Sequence, residues 1–154
     1  MTDFSFTAVG RVRSSRTGRV DDDWGDVDSV IELDEARFSP ASLQGLEEFS
    51  HVEVIFVFDR FDESKVTTGA RRPRGNPDWP EVGIFAQRAS SRPNRLGLTA
   101  CEVLDVAGLE VHVRGLDAID GTPVLDIKPF IREFAPRGEM RQPAWIGELM
   151  TGYW

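Results

Sequence analysis

Residues 83–129 read GIFAQRASSRPNRLGLTACEVLDVAGLEVHVRGLDAIDGTPVLDIKP, and this stretch decides the fold. Apolar and polar residues alternate through Leu96–Val106 and again through Leu109–Arg114, which is the pattern of strands that bury one face. The small residues Ala107 and Gly108 separate the two runs and favour a tight turn. The stretch therefore predicts an antiparallel hairpin with polar side chains grouped at its ends.

The rest of the chain predicts further strands and two short helices around this hairpin. Ser39-Pro40 has the residue types of a helix start, and the helix is expected to end near Phe49. Pro143 opens a last amphipathic turn, and the polar segments Arg13–Ser29 and Asp59–Glu81 are predicted to be loops. The further strand-like runs are Phe4–Val12, Val30–Leu33, His51–Phe58, Val82–Gln87 and Val124–Ile127.

Some seven strands with short peripheral helices predict a mostly β, antiparallel barrel-like fold rather than a doubly wound sheet. The run His51–Phe58, HVEVIFVF, is apolar at most positions and is expected to be a central strand covered on both sides. With 154 residues, 40% of them hydrophobic, the chain is expected to form a single domain over residues 1–154. The aromatic segment 132–154 is expected to pack on the core or on a partner subunit.

The composition favours one cellular compartment and argues against several classes of binding site. Cys101 is the only cysteine, and its apolar neighbours predict a buried, inert thiol in a protein of the reducing cytoplasm. No run approaches the about 20 apolar residues of a membrane span. The sequence also lacks GxGxxG, GxxxxGK[ST], HExxH, CxxC and GxSxG, which argues against a Rossmann site, a P-loop and a metal site.

The charge is unevenly distributed. A net charge of −8 argues against general affinity for nucleic acid. Between Lys65 and Arg95, however, seven cations stand against two anions, so this segment carries +5 and the rest of the chain −13. This segregation predicts either one anion-facing patch or a set of solvated arginines in a loop.

Guanidinium and carboxylate groups are concentrated in the turns beside the strands of residues 83–129. Arg88 and Asn94 precede the hairpin, and Asp117, Asp120 and Asp126 follow it. Arginine can grip a carboxylate with two hydrogen bonds, and aspartate can accept from a ribose diol or an ammonium group. These groups either hold a polar small molecule or form salt bridges and backbone caps, and for Asp120 in its Asp-Gly-Thr-Pro turn a capping role is supported at least as well as a functional one.

Longer motifs resemble the TsaA-like (YaeB, TrmO) family and extend over nearly the whole chain. They are GIFAQR at 83–88, RPN at 92–94, LGL at 96–98, GLDxxDGTPVLDIKP at 115–129 and LExFSH at 46–51. The resemblance implies an S-adenosylmethionine-dependent methyltransferase that adds a methyl group to the N6 of threonylcarbamoyl-adenosine next to the anticodon of tRNA. It also implies a barrel-like β domain that acts as a homodimer, here in a short form without the additional C-terminal domain of many bacterial relatives.

The resemblance assigns cofactor-binding residues. The positions that match the family's S-adenosylmethionine contacts are Arg88, Leu98, Arg114, Gly115, Leu116 and Asp117. Two further groups match less closely: Trp24, Gly25 and Asp26 in the acidic loop, and Asp59 and Arg60 at the end of the central strand. Relatives often have histidine where this chain has Asp59. From its sequence context alone, Trp24 either covers a ligand or packs on the body of the protein.

Roles toward the substrate follow from the same hypothesis. Asn94 and Asp126 are predicted to be catalytic, with the Asn94 amide reading the edge of an everted adenine. Phosphate contacts are predicted for Arg71, Arg72, Arg74 and Arg92. Two alternatives stay open: an S-adenosylmethionine-binding module without turnover, and a methyltransferase acting on another RNA or on a small molecule.

Overall fold

The computed structural model describes residues 1–154 and has a closed six-stranded antiparallel barrel, in the order β1-β2-β7-β6-β3-β8. The mostly β, barrel-like prediction is thereby confirmed. A separate two-stranded sheet pairs β4 with β5. The strands are β1 Gly10–Ser14, β2 Asp28–Leu33, β3 His51–Val57, β4 Ala70–Arg71, β5 Val82–Gly83, β6 Leu96–Ala107, β7 Glu110–Arg114 and β8 Pro123–Pro129.

The helices are short and lie outside the barrel. One α-helix, α1, spans Ala144–Leu149. Seven single-turn 3-10 helices occupy Pro40–Leu43, Leu46–Glu48, Glu63–Lys65, Pro73–Gly75, Ile84–Ala86, Pro93–Arg95 and Arg132–Phe134. No helix of the structure is both long enough and apolar enough to cross a membrane.

The predicted hairpin is confirmed as β6 and β7, which turn at Gly108 with a positive φ of 62°. Val103 pairs with Val113 and Asp105 with His112, so the extra residue Leu104 forms a bulge between them. On β7, Val111 and Val113 point into the barrel and are fully buried. The alternation of the sequence thus corresponds to the inner and outer faces of the barrel wall.

β3 is hydrogen-bonded on both edges, to β6 and to β8. Its buried residues Val52, Val54 and Phe56 fill the core, whereas Ile55 and Val57 on the outer face are only half-buried. The predicted central position of this strand is therefore confirmed, whereas within one chain its outer face is covered only in part. Gly97 of β6 makes room for the Phe56 ring, since a Cβ there would lie 2.4 Å from a ring carbon.

Three predicted elements have different bounds in the structure. The predicted first strand, Phe4–Val12, begins only at Gly10, and Phe4 and Phe6 are 77% and 74% exposed. The predicted helix after Ser39 is two 3-10 turns, separated by Gly45 at a φ of 89°, and the Ser39 side chain caps neither. The predicted strand Val82–Gln87 is a strand only over Val82–Gly83 and then forms a 3-10 turn.

Candidate functional site

A hydrogen-bond network centred on Asp117 joins the barrel to the last residues of the chain. Thr99 points into the barrel from β6 and is buried, and its hydroxyl donates to Oδ1 of Asp117. The Tyr153 hydroxyl donates to Oδ2 of the same carboxylate. Both oxygens of Asp117 therefore have a fixed donor, and each retains a lone pair for a further one.

Two cationic side chains belong to the electrostatic surroundings of this network. Burial raises the pKa of Tyr153 above its ordinary value, and the charge of Asp117 raises it further, whereas Arg88 and Arg74 act in the opposite direction. Burial, assisted by Asp117, also raises the pKa of Cys101 to about 12. The thiol is therefore protonated and unreactive at neutral pH, as the sequence predicts.

Arg88 follows the 3-10 turn Ile84–Ala86, which the Gln87 side chain holds in place. The Gln87 amide donates to the carbonyls of Arg71 and Val82, at 3.0 and 2.9 Å, and so ties the turn to the β4-β5 sheet. The Arg88 guanidinium is exposed and donates to the carbonyl of Leu98 on β6. This contact brings together two residues that the family pattern assigns to the cofactor, and it leaves other guanidinium donors of Arg88 available.

The Trp24 loop lies against the same end of the chain. Backbone N–H groups of Asp23 and Trp24 donate to the carbonyls of Gly152 and Tyr153, at 2.9 and 2.8 Å. Trp24 itself is buried, so it packs on the body of the protein instead of lying open as a ligand cover. Its ring lies under the guanidinium of Arg16, at 4.2 Å from the ring centroid.

Gly25 and Gly115 connect this loop to the Asp117 network. A Cβ on Gly25 would lie 2.5 Å from the carbonyl carbon of Trp154, so only glycine allows this close approach. The N–H of Gly115 donates to the carbonyl of Val27 at 3.0 Å. The structure thus places residues 24–25 and 115–117, which are far apart in sequence, in one region.

Other positions assigned to the cofactor have different surroundings. Arg114 points outward and makes two bonds to Asp28, at 2.8 and 3.3 Å, and these bonds raise the pKa of its guanidinium. The Leu116 side chain is fully buried in the core. Arg60 donates to the carbonyls of Asp120 and Thr17, at 3.1 and 3.3 Å. The side chains of Asp26 and Asp59 form no hydrogen bond with Asp117, whose partners are Thr99 and Tyr153.

The two predicted catalytic residues are not brought together. Asn94 is exposed in the Pro93–Arg95 turn, with a φ of 63°. On β8, Asp126 accepts from the N–H of Ile127 at 2.9 Å and pairs with Lys128 at 2.6 Å. Asp126 lines an apolar groove with Leu43, Leu46 and Phe49, none of which belongs to the Asp117 network.

Asp120 takes the structural role that its turn sequence favours. One carboxylate oxygen accepts from the N–H of Ser14 at 2.9 Å. The next residue, Gly121, has a φ of 80°. A Cβ added to Gly121 would lie 3.3 Å from the Arg60 guanidinium. Asp120 therefore fixes the turn between β7 and β8 to the end of β1.

Each arginine of the predicted phosphate patch has a partner within the chain. Arg71 donates to the Ser91 hydroxyl at 2.5 Å, Arg72 to the Trp79 carbonyl at 2.5 Å, and Arg92 to the Gln87 carbonyl at 2.7 Å. Arg74 pairs with the Asp22 carboxylate at 2.9 Å. A guanidinium carries five N–H donors, so each of these side chains keeps others available.

Sequence reasoning missed Thr99 and Tyr153 as members of the site. Thr99 carries a weak signal, since it is a polar residue at an inward position of an otherwise apolar β6 face. Tyr153 carries none, because it lies 36 residues from Asp117 and reaches it only through the packing of the last segment.

Comparisons with known proteins point to one family. The sequence profile of the tRNA-methyltransferase O N-terminal domain matches residues 18–135. The chain is 45% identical to the tRNA (adenine(37)-N6)-methyltransferase of Mus musculus over 93 residues, 60% of this chain and 21% of that protein. It is 32% identical to the protein of that name from Escherichia coli K12 over 146 residues, 85% of this chain and 59% of that one. The chain thus spans about a fifth of the mouse relative.

Two further similarities concern the ligand class and the fold. A "probable S-adenosyl-L-methionine-binding protein" of Methanothermobacter thermautotrophicus is 39% identical over 100 residues, 63% of this chain and 66% of that one. The solved structure of TrmO from Pseudomonas aeruginosa superposes with a TM-score of 0.72 at 26% identity, covering 91% of this chain and 62% of that one.

Proposed function

The chain belongs to the family of tRNA-methyltransferase O N-terminal domains, and from this membership we propose that it methylates tRNA with S-adenosylmethionine as the methyl donor. The proposed acceptor is the N6 of the threonylcarbamoyl-adenosine next to the anticodon. The observation that carries the proposal is the arrangement around Asp117. A carboxylate with two fixed donors lies there beside the Trp24 loop, and Arg88 donates to the carbonyl of Leu98, the residue before Thr99.

The donor set suits the polar groups of S-adenosylmethionine. The free N–H groups of Arg88 provide paired donors for a carboxylate, and the remaining lone pairs of Asp117 accept from an ammonium group or a ribose diol. When bound, the cofactor would supply a methyl group on a positively charged sulfur. In this proposal the segment 115–117, joined to the Trp24 loop by the bond from Gly115 to Val27, forms the adjoining wall of the site.

Positioning would supply most of the rate enhancement. The adenine N6 must lie in line with the methyl group, so that the N–C bond forms as the C–S bond breaks and one proton leaves the amine. The exposed Asn94 presents an amide donor and an acceptor suited to an adenine edge. We do not assign the proton transfer to Asp126, because it lines a groove whose other residues lie outside the Asp117 network; in this proposal water takes the proton.

The outer face of β3 and β6 supports a homodimer as part of this proposal. Ile55 pairs with Leu98 and Val57 with Leu96, which places four apolar side chains side by side on the barrel exterior. Analytical ultracentrifugation is expected to give the mass of two chains for the wild type and of one chain for Leu96→Glu. Leu104→Glu is the matched control, because Leu104 is equally exposed in the β6 bulge (39% against 38%) and is expected to leave the dimer intact.

Methyl transfer from labelled S-adenosylmethionine to tRNA tests the proposed activity. The expected result is transfer to tRNA that carries the threonylcarbamoyl group and none to the same tRNA without it. Equal transfer to both would favour a different RNA target, and cofactor binding without any transfer would favour a binding module. Arg88→Ala is expected to abolish the cofactor-induced rise in melting temperature while leaving the melting temperature of the ligand-free protein nearly unchanged, since Arg88 is exposed.

A further inference from the structure

The last three residues, Gly152–Trp154, lie across the Trp24 loop and are called the strap below. Two backbone hydrogen bonds, from Asp23 to Gly152 and from Trp24 to Tyr153, fix its course. Helix α1, which leads into it, is held by a bond of 2.8 Å from the Trp79 indole to Glu148. The strap is therefore anchored independently of the Tyr153 hydroxyl.

We infer that Tyr153 is a positioning residue of the cofactor site, whose hydroxyl sets the orientation in which the Asp117 carboxylate meets the ligand. The inference deepens the proposed function and rests on it. It assigns a role to a residue outside the matched segment 18–135. In this role the strap forms part of the site, and Tyr153 acts on the ligand only through Asp117.

A carboxylate held by a single hydrogen bond can still rotate. The last torsion of an aspartate side chain is broad, so one hydrogen bond leaves the plane of the carboxylate poorly defined. Bonds to both oxygens, from Thr99 on one side and Tyr153 on the other, fix that plane. The two remaining lone pairs then have fixed directions, which is what a site needs for hydrogen bonds of defined geometry.

The packing of the Tyr153 ring is independent of the hydroxyl that bonds Asp117. Tyr153 is half-buried, and its ring packs edge-on against Trp154 with centroids 4.8 Å apart. Because ring packing and the strap's backbone bonds do not involve the hydroxyl, removing that oxygen leaves the strap in place. The change therefore separates the orientation of Asp117 from the attachment of the strap.

The test compares Tyr153→Phe with Thr151→Val, each of which removes one hydroxyl from the same segment. The Thr151 hydroxyl donates only to the Gly147 carbonyl, at 3.2 Å within the helix end. Calorimetric titration with S-adenosylmethionine is expected to give a Kd about tenfold weaker for Tyr153→Phe, as the loss of one hydrogen bond to a charged group implies. Thr151→Val is expected to bind as the wild type does.

A structural readout accompanies the binding measurement. Tyr153 is the only tyrosine of the chain, so the ultraviolet absorbance of its phenolate reports on this residue alone. In the folded wild type the phenolate is expected to be absent at about pH 10, where an ordinary tyrosine is half ionised. In Asp117→Asn ionisation is expected at lower pH than in the wild type, because the carboxylate charge that disfavours the phenolate is gone.

The outcomes distinguish a failure of the role of Tyr153 from a failure of the proposed function. Equal Kd values for the wild type and Tyr153→Phe, with the wild type binding, would overturn the role of Tyr153 and leave the proposed function standing. A wild type that binds no S-adenosylmethionine would overturn the proposed function, and this inference with it. Unchanged phenolate titration in Asp117→Asn would show that the Tyr153–Asp117 bond is absent in solution and would also overturn the inference.

Discussion

Substitution of Gly25 by alanine tests whether the strap lies against the Trp24 loop. The backbone of Gly25 does not have a positive φ, so an alanine adopts its conformation without strain. The new Cβ would lie 2.5 Å from the carbonyl carbon of Trp154 and 3.1 Å from its Cα. These are backbone atoms, which cannot rotate out of the way as a side chain can. The strap must therefore move as a unit.

The expected change in unfolding free energy is the difference between the interactions lost when the strap detaches and the backbone entropy that its residues recover. Detachment breaks the two backbone bonds, worth about 1 kcal/mol each, and the bond from Tyr153 to the charged Asp117, worth about 2 kcal/mol. It also exposes the partly buried rings of Tyr153 and Trp154, whose burial is worth about 2 kcal/mol together. Three released residues recover about 1 kcal/mol of backbone entropy each, or about 3 kcal/mol together. The net loss of unfolding free energy is therefore about 3 kcal/mol, which lowers the melting temperature by about 6–12 °C in a chain of this length.

The assay combines thermal unfolding with the Tyr153 titration, and Gly18→Ala is the control. Gly18 lies in the same loop, and an added Cβ there meets nothing within 4 Å. In Gly25→Ala the phenolate is expected to form at lower pH than in the wild type, since Tyr153 leaves its buried position beside Asp117. Gly18→Ala is expected to titrate as the wild type. A wild-type titration in Gly25→Ala would refute the packing of the strap on the loop.

Two further predictions concern the core. Gly97→Ala places a Cβ 2.4 Å from the buried Phe56 ring and is expected to lower the unfolding free energy by about 1–3 kcal/mol in urea titrations. Gly83→Ala, whose Cβ meets nothing within 4 Å, is the control, and equal stability of the two variants would contradict the core packing. Cys101, with its pKa raised to about 12 from 9.0, is expected to resist alkylation in the folded protein at about pH 8 and to react once unfolded, as measured by mass spectrometry. Rapid labelling of the folded protein would contradict the assigned burial of Cys101. Because the folded state holds the thiol proton more tightly than the unfolded state, the unfolding free energy is expected to decline as the pH rises above about 9.

The fold could be predicted where alternation and pairing coincide. The runs that became β6 and β7 are adjacent in sequence, so a local turn is enough to bring them together. Phe4–Val12 has the same alternation, but only its end finds partners, where Gly10 pairs with Leu33 of β2 and Val124 of β8. Alternation indicates that a segment can form a strand. Whether the segment forms a strand depends on an unpaired strand edge in the folded sheet, and no local sequence pattern encodes such an edge.

The candidate site could be predicted in part, for a related reason. Arg88 and Asp117 stand in long motifs at the ends of predicted strands, so their positions carried a signal. The hydroxyls that fix Asp117 come from Thr99 and Tyr153, 18 and 36 residues away. Their contacts arise from barrel closure and from the docking of the last segment, neither of which has a local sequence pattern.

The arginines at positions 71, 72, 74 and 92 differ in whether their partners within the chain carry a charge. Arg71, Arg72 and Arg92 donate to neutral oxygens, of a hydroxyl and two carbonyls, so these bonds hold the guanidinium groups without neutralising them. Only Arg74 faces carboxylates, those of Asp22 at 2.9 Å and Asp21 at 4.0 Å. Arg71, Arg72 and Arg92 therefore keep their charges without a carboxylate partner, on side chains whose positions are already fixed. Two other cations of the segment, Lys65 and Arg95, lie 3.9 and 3.8 Å from the carboxylates of Asp62 and Glu63. If these arginines bind the phosphates of an RNA, as we propose, their fixed donors lose less entropy on binding, and their charges attract an anion to a chain whose net charge is −8.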